Sequence, residues 1–106
     1  MGVSKKNEHH KLILTFTATT FEWRGPAPFM FAKVPDQEAK QIKEVSKMLT
    51  YGWGVIPCTV TIGNTSVTTS LFPKDGGYLV PIKAALSKPE GINYADKVSI
   101  SLSFAI

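Results

Sequence analysis

The sequence predicts a mainly β protein with two short helices, folded as a small closed or partly open barrel capped by those helices. Apolar and polar residues alternate along most of the chain, as is typical of half-buried strands. Helical composition occurs in two segments, each of which follows a proline. The last segment, residues 97–106, is strongly amphipathic, and its natural partner is the first strand. Their pairing would close the sheet and remove its edges.

Composition limits the class of protein. The chain has 106 residues, of which 43% are apolar and 19% are charged, which fits one globular domain. We expect a disordered polar leader over residues 1–10 and a single domain over residues 11–106. No apolar run approaches the roughly 20 residues of a membrane helix, and the leader lacks the apolar core of a secretory signal. We therefore expect no membrane partner.

The first strand covers residues 11–22, with Ile13 as the one exception to its alternation. Its inward-facing residues are predicted to be Leu12, Leu14, Phe16 and Ala18. Residues 23–26 include Gly25 and Pro26 and indicate a turn. Residues 29–34 form a second strand, and because it is almost wholly apolar we expect it to be covered on both faces.

The main helix is predicted to start at Pro35, with Asp36 and Glu38 near its positive N-terminus. Its buried stripe, at three- and four-residue spacing, consists of Ala39, Ile42, Val45 and Leu49. The opposite face carries Lys40, Lys43, Glu44 and Lys47, which indicates solvent exposure.

The loop after this helix contains two aromatic residues, Tyr51 and Trp53, among glycines. One interpretation is that both side chains close one end of the core. The alternative is that they form a stacking surface for a ligand or a base.

The middle of the chain is predicted to be a hairpin of residues 55–63 and 65–72, joined at Gly63-Asn64. Because proline donates no hydrogen bond, Pro57 indicates that the first half of the earlier strand lies at an edge. The inward-facing residues are predicted to be Ile56, Cys58, Val60, Ile62, Val67, Thr69 and Leu71.

A glycine turn at Asp75-Gly76-Gly77 follows, and a short strand over residues 78–80 leads away from it. Pro81 is predicted to open a short helix that ends by Pro89 and Gly91. Turn chemistry explains the glycines; the alternative is an anion-binding loop at a helix N-terminus, although the wider spacing of a phosphate loop is missing. In the last strand the inward-facing residues are Val98, Ile100, Leu102, Phe104 and Ile106.

Few residues suggest chemistry. The single cysteine, Cys58, lies in an apolar strand, so we expect a buried thiol and a reducing, cytoplasmic location. The two histidines, His9 and His10, are adjacent in the leader and would point apart on a strand. We therefore expect no metal and no cofactor. Asp75 and Asp96 are the carboxylates whose loops could converge, although turn or capping roles would explain both.

Four segments in a fixed order carry a resemblance to a family. They are residues 31–35 (FAKVP), 60–73 (VTIGN, then TSLFP), 75–81 (DGGYLVP) and 94–100 (YADKVSI). Together they resemble the bacterial and archaeal family known as the domain of unknown function DUF1905, over most of residues 11–106. The resemblance implies a double-split β-barrel, the architecture class of the AbrB and MazE transcription-factor domains, which are swapped dimers that bind DNA.

This sequence departs from the family pattern at two places. The family usually has Gly-Asp before the last strand, where this chain has Ala95-Asp96. It usually has an arginine in the helix after the glycine turn, where this chain has Ser87-Lys88.

Three function classes follow from these observations. The first class, which we favour, is a non-catalytic binding module for a small ligand or protein partner, acting as a monomer or homodimer. Its candidate binding residues are Tyr51, Trp53, Asp75, Gly76, Gly77, Tyr78 and Asp96. A net charge of +4 and the barrel analogy make nucleic-acid binding an alternative, although one dispersed arginine and scattered lysines disfavour it. An enzyme of unknown reaction is the third.

Overall fold

The computed structural model describes residues 11–24, 28–49 and 56–105, which form a closed six-stranded barrel with two helices. The strands are β1 (Lys11–Arg24), β2 (Pro28–Lys33), β3 (Ile56–Ile62), β4 (Thr65–Lys74), β5 (Gly77–Pro81) and β6 (Lys97–Ala105). The helices are α1 (Asp36–Leu49) and α2 (Ala84–Glu90). The predicted fold class is therefore confirmed. The predicted leader, residues 1–10, lies outside the described residues.

The barrel closes through its first and last strands. Around the barrel the strand order is β1-β2-β5-β4-β3-β6, and every neighbouring pair is antiparallel. The β1–β6 pairing runs from Lys11 opposite Ala105 to Thr19 opposite Lys97. It places Leu14 opposite Leu102, as the alternation of both strands predicts.

The core lies inside the barrel, because each strand turns alternate side chains inward. The predicted inward residues Leu14, Val60 and Leu102 are buried. Ile13, the predicted exception in β1, is 61% exposed. Among the described residues, side chains with no exposed surface come from five strands, from helix α1 and from the link between β2 and α1: Ala32, Val34, Ile42, Ile56, Val60, Leu71, Val80, Ile100, Leu102 and Phe104.

Helix α1 follows Pro35, whose carbonyl accepts a hydrogen bond of 2.8 Å from the Ala39 N–H. Ala39 and Ile42 of the predicted stripe are buried, and Val45 is half-buried. The side chain of Leu49 lies outside the described part of the structure. The four residues predicted on the opposite face are exposed.

Helix α2 is tied to the β3–β4 hairpin by the carboxylate of Glu90. This carboxylate accepts hydrogen bonds from the Thr65 hydroxyl, at 2.6 Å, and from the Asn64 backbone N–H, at 3.2 Å. The helix ends at Gly91, which is left-handed with φ of 62°, and the N–H of Ile92 donates to the Ser87 carbonyl. The end of α2 is thereby held against β4.

Two predicted boundaries are wrong. Trp23 and Arg24 were expected in a turn, but they extend β1 because they pair with Phe29 and Pro28 of β2. Pro81 was expected to open a helix, but it ends β5 opposite Phe31. A proline fits the end of a strand, where a missing N–H interrupts no further pairing.

The expectation that the second strand is covered on both faces is also wrong for its first half. Ala32 and Phe31 are buried, but Phe29 is 55% exposed. The edge prediction for β3 is confirmed, because β6 pairs with its residues 59–61, whereas Pro57 pairs, among the described residues, with Ser70 of β4 alone. Within the described residues, neither helix is both long enough and apolar enough to cross a membrane.

Candidate functional site

Five aromatic side chains gather on the outside of the barrel. Strand pairing places Phe21 opposite Phe31 and Trp23 opposite Phe29, on the face away from the buried Ala32. Phe72 of β4 follows the buried Leu71 and therefore points outward too. We call this set the aromatic cluster: Phe21, Trp23, Phe29, Phe31 and Phe72.

Phe31 is the centre of the aromatic cluster. Its ring centroid lies 6.3 Å from those of Phe21 and Trp23, 6.5 Å from that of Phe29 and 6.0 Å from that of Phe72. These separations are in the range where aromatic pairs attract one another. The surrounding rings bury Phe31, yet they remain largely in contact with water, with 40% of Trp23 and 43% of Phe72 exposed.

The barrel has a split beside this cluster. The pairing of β4 with β5 runs from Lys74 opposite Gly77 to Phe72 opposite Leu79 and then stops, while β4 continues along β3. A groove of about 700 Å³ lies at this place. We call it the split groove, and its lining residues are Phe29, Met30, Phe31, Pro57, Thr68, Thr69, Ser70, Phe72, Pro81, Ile82 and Lys83.

The split groove is apolar with a polar margin. Phe29, Phe31 and Phe72 supply aromatic surface. Met30 and Ile82 reach it from the core side, where the N–H of Ile82 donates to the Met30 carbonyl at 2.9 Å. Three hydroxyl-bearing residues of β4 and the exposed Lys83 add polar residues to the lining. Such a surface suits an apolar body that carries few polar groups.

A second groove continues from the first along the same aromatic rings. It encloses about 580 Å³ and is lined by Trp23, Phe29, Phe31, Phe72, Pro73, Lys74, Asp75 and Leu79. The ammonium nitrogen of Lys74 lies 5.1 Å from the centroid of the Trp23 ring, within cation–π range. It also lies 3.9 Å from the carboxylate of Asp75, whose side chain is 82% exposed, so this ion pair contributes little to stability.

The predicted glycine turn lies at the end of the second groove. Asp75 and Gly76 form the two-residue turn between β4 and β5, with φ of 50° and 80°. Asp75 lines the second groove, whereas Gly77 and Tyr78 are buried in β5. Tyr51 and Trp53, the other aromatic candidates, lie outside the described residues.

Asp96, the other predicted carboxylate, holds the loop before β6. Its side chain accepts a hydrogen bond of 2.7 Å from the Asn93 N–H. Its own N–H donates to the hydroxyl group of the buried Thr20 at 3.1 Å, and that hydroxyl donates to the Asn93 carbonyl at 2.6 Å. Asp96 lines neither groove, so the two carboxylates are found in separate surroundings.

Cys58 faces the core and is buried, as its alternation predicts. Burial raises the pKa of its thiol to about 12, which keeps it protonated at neutral pH. Within residues 11–24, 28–49 and 56–105 there is no group of three or more side chains that could hold a metal ion.

The sequence interpretation did not identify the aromatic cluster. A signal was present, because Phe21 and Trp23, and likewise Phe29 and Phe31, are two residues apart and so share one strand face. Phe72 continues the predicted outward face of β4. Large aromatic residues that share the outward faces of neighbouring strands indicate an interaction site.

One comparison with known proteins gives a match. A family model described as "Domain of unknown function (DUF1905)" matches residues 16–102. No curated protein matches the chain. The match begins at Phe16 in the first half of β1 and ends at Leu102 in β6, so it includes all residues that line the two grooves.

Proposed function

The chain belongs to the DUF1905 family, and we propose that it is a non-catalytic binding module whose split groove takes a small apolar ligand. The observation that supports this proposal is a groove of about 700 Å³ lined by aromatic and aliphatic side chains. Ligand sites in proteins commonly enclose about 300–1,000 Å³ and are mostly apolar. The cytoplasmic location expected from the sequence remains part of this proposal.

The exposure of the cluster supports a binding role. Phe29, at 55% exposed, and Phe72, at 43%, border both grooves and present contiguous apolar surface to water. Single exposed apolar residues are ordinary, but contiguous ones are typical of interaction sites. The concave shape favours a small ligand over a flat protein surface, which makes a protein partner the second occupant to test.

The roles of the reactive side chains favour binding over catalysis. Cys58 points into the core, away from the grooves, and its pKa is raised by burial. The carboxylate of Asp96 is engaged with the backbone of its own loop. Asp75 lies at an exposed turn beside Lys74, and its side chain is 82% exposed.

An NMR titration of the full chain with uncharged bicyclic aromatic probes tests the proposal. We expect saturable shifts of backbone signals from groove residues such as Met30 and Ser70. Phe72→Ala is expected to weaken binding about tenfold, which corresponds to roughly 1.4 kcal/mol of lost apolar contact.

Ile13→Ala is the matched control, because Ile13 is an exposed apolar residue on β1 that lines neither groove. It should leave probe affinity unchanged. The proposal is wrong if no probe gives saturable shifts, or if the two variants weaken binding equally. Affinity for a second protein in the absence of any probe binding would assign the surface to a protein partner instead.

A further inference from the structure

We propose that the ligand of the split groove is an aromatic carboxylate, a small molecule with a planar apolar body and one anionic group; this inference rests on the function proposed above. The apolar body would lie against the aromatic rings of Phe29, Phe31 and Phe72, and the anionic group would face Lys83. All four residues line the same groove.

The charge of the groove supports an anion. Among the described residues that line it, Lys83 carries the only charged group, and none carries a carboxylate. Thr68, Thr69 and Ser70 line it as well. Because side chains alternate along β4, Thr68 and Ser70 share one face, and their hydroxyl groups are donors suited to a carboxylate. An apolar groove with one uncompensated cation discriminates against cationic ligands and favours anionic ones.

Lys83 has no acidic partner within the described part of the chain, where the ion pair found is the one between Lys74 and Asp75. Its side chain is exposed, and it immediately follows the buried Ile82, which lines the groove from the core side. The backbone therefore fixes the base of the Lys83 side chain at the groove, while the ammonium group is free to reach a bound anion.

The second groove differs in this respect. Lys74 lies over the ring of Trp23 and 3.9 Å from Asp75, so its charge is already partly balanced. An anion placed there would also meet the Asp75 carboxylate, which lines that groove. The two grooves share aromatic rings but differ in charge, which places the anionic group at the Lys83 end.

The net charge of the whole chain acts in the same direction. At +4, it attracts small anions weakly and in a salt-dependent manner. This general attraction does not depend on Lys83, so a test must separate the two effects.

Three probes of nearly equal shape make the separation: 2-naphthoate, 2-naphthamide and 2-naphthylmethylammonium, which are anionic, neutral and cationic. Their affinities for the full chain are measured by NMR titration at low salt. We expect the anion to bind about threefold tighter than the amide, the scale of one exposed ion pair, and the cation to bind most weakly.

Variants of Lys83 assign the preference to one residue. Lys83→Gln should remove most of the anion preference and leave only the small part that comes from the net charge, and Lys83→Glu should make the cation bind tighter than the anion. Lys83→Arg should retain the anion preference. Lys88→Gln is the matched control, because it removes the same charge as Lys83→Gln at a residue that is exposed on α2 and lines neither groove. It should keep the preference for the anion.

The outcomes separate the two proposals. If none of the three probes binds, the proposed function is itself wrong. If all three bind equally, the groove binds apolar ligands and the inference about charge is wrong. If Lys83→Gln leaves the anion preference undiminished, or reduces it no more than Lys88→Gln does, the preference reflects net charge and the assignment to Lys83 is wrong. Thermal unfolding of each variant establishes that the chain is folded.

Discussion

Ala95 occupies a backbone conformation that L-amino acids with a side chain rarely adopt. Its φ is 68°, in the left-handed region. The surrounding hydrogen bonds impose this conformation, because the N–H of Ala95 donates to the Thr20 carbonyl at 2.9 Å and the Thr20 N–H donates to the Asp96 carbonyl at 2.8 Å. A glycine would adopt it without strain.

We expect Ala95→Gly to stabilise the protein by about 0.5–1 kcal/mol. Left-handed backbone costs a residue with a Cβ about 1–2 kcal/mol, and the greater freedom of glycine in the unfolded chain offsets roughly half of that gain. Urea unfolding measures the difference. Ala85→Gly in α2 is the control and should lose up to about 1 kcal/mol, because that position is helical. A loss of stability in both variants would contradict the role given to Ala95.

Cys58 should make stability fall at high pH. Its thiol has a pKa of about 12 in the folded protein, against about 8.5 in an unfolded chain. Above pH 9 the unfolded chain therefore releases a proton that the folded protein retains, which favours unfolding. The contribution is complete below about pH 8.5 and is lost as the pH approaches 12.

The measurement compares the wild type with Cys58→Ala, because lysine and tyrosine titrations affect both chains alike. We expect the free-energy difference between them to change by about 2.5 kcal/mol, against the wild type, between pH 8 and pH 10.5. A difference that stays constant over this range would show that the folded thiol ionises as readily as an unfolded one.

The β4–β5 hairpin offers a matched pair of adjacent glycines. Gly76 has φ of 80°, whereas Gly77 lies outside the positive-φ region. A Cβ built on Gly77 would meet its nearest atoms, the Lys74 carbonyl oxygen and the Lys33 Cε, at 3.8 and 3.9 Å, which are ordinary contacts. The strand position therefore accepts a methyl group that the turn position resists.

We expect Gly76→Ala to destabilise the protein by about 1 kcal/mol, because alanine is strained at this φ. Gly77→Ala should be neutral or stabilising by up to about 1 kcal/mol, because it reduces the freedom of the unfolded chain. Thermal and urea unfolding measure both. Equal effects of the two substitutions would mean that the turn does not require left-handed backbone.

Leu102 contributes to the closure of the whole barrel. It is fully buried and lies opposite Leu14 of β1 on one side and Val60 of β3 on the other. We expect Leu102→Ala to cost about 2–5 kcal/mol in the free energy of unfolding, from lost apolar burial and the cavity left behind. Ile13→Ala, which truncates an exposed residue of the same β1–β6 sheet region, should change stability by less than about 0.5 kcal/mol. Similar losses would contradict the closed barrel.

The sequence was sufficient to predict the strands, because the alternation within a strand depends on neighbouring residues alone. The closure through β1 and β6 followed from a second argument, that two strongly amphipathic terminal strands lose their open edges when they pair. The sequence failed at Trp23 and Pro81, where pairing with β2 overrides local turn and helix signals. The split groove could not be predicted in this way. Phe31 and Phe72 are far apart in sequence, and their rings come together because β2 and β4 both pair with β5, one on each side of it. Alternation predicts on which face of the sheet a side chain lies, but it does not predict which strands pair with one another.

The pairing of Lys11 with Ala105 has a practical consequence for engineering. Because these residues lie side by side, a linker of a few residues could join them. New termini could then be opened at the Gly63-Asn64 turn, where one covalent bond is cut between two exposed residues. Such a circular permutant would retain the strand order around the cylinder and leave the rings around Phe31 in place. Its ribosomal synthesis would begin with β4, β5 and β6 and end with β1, β2 and β3.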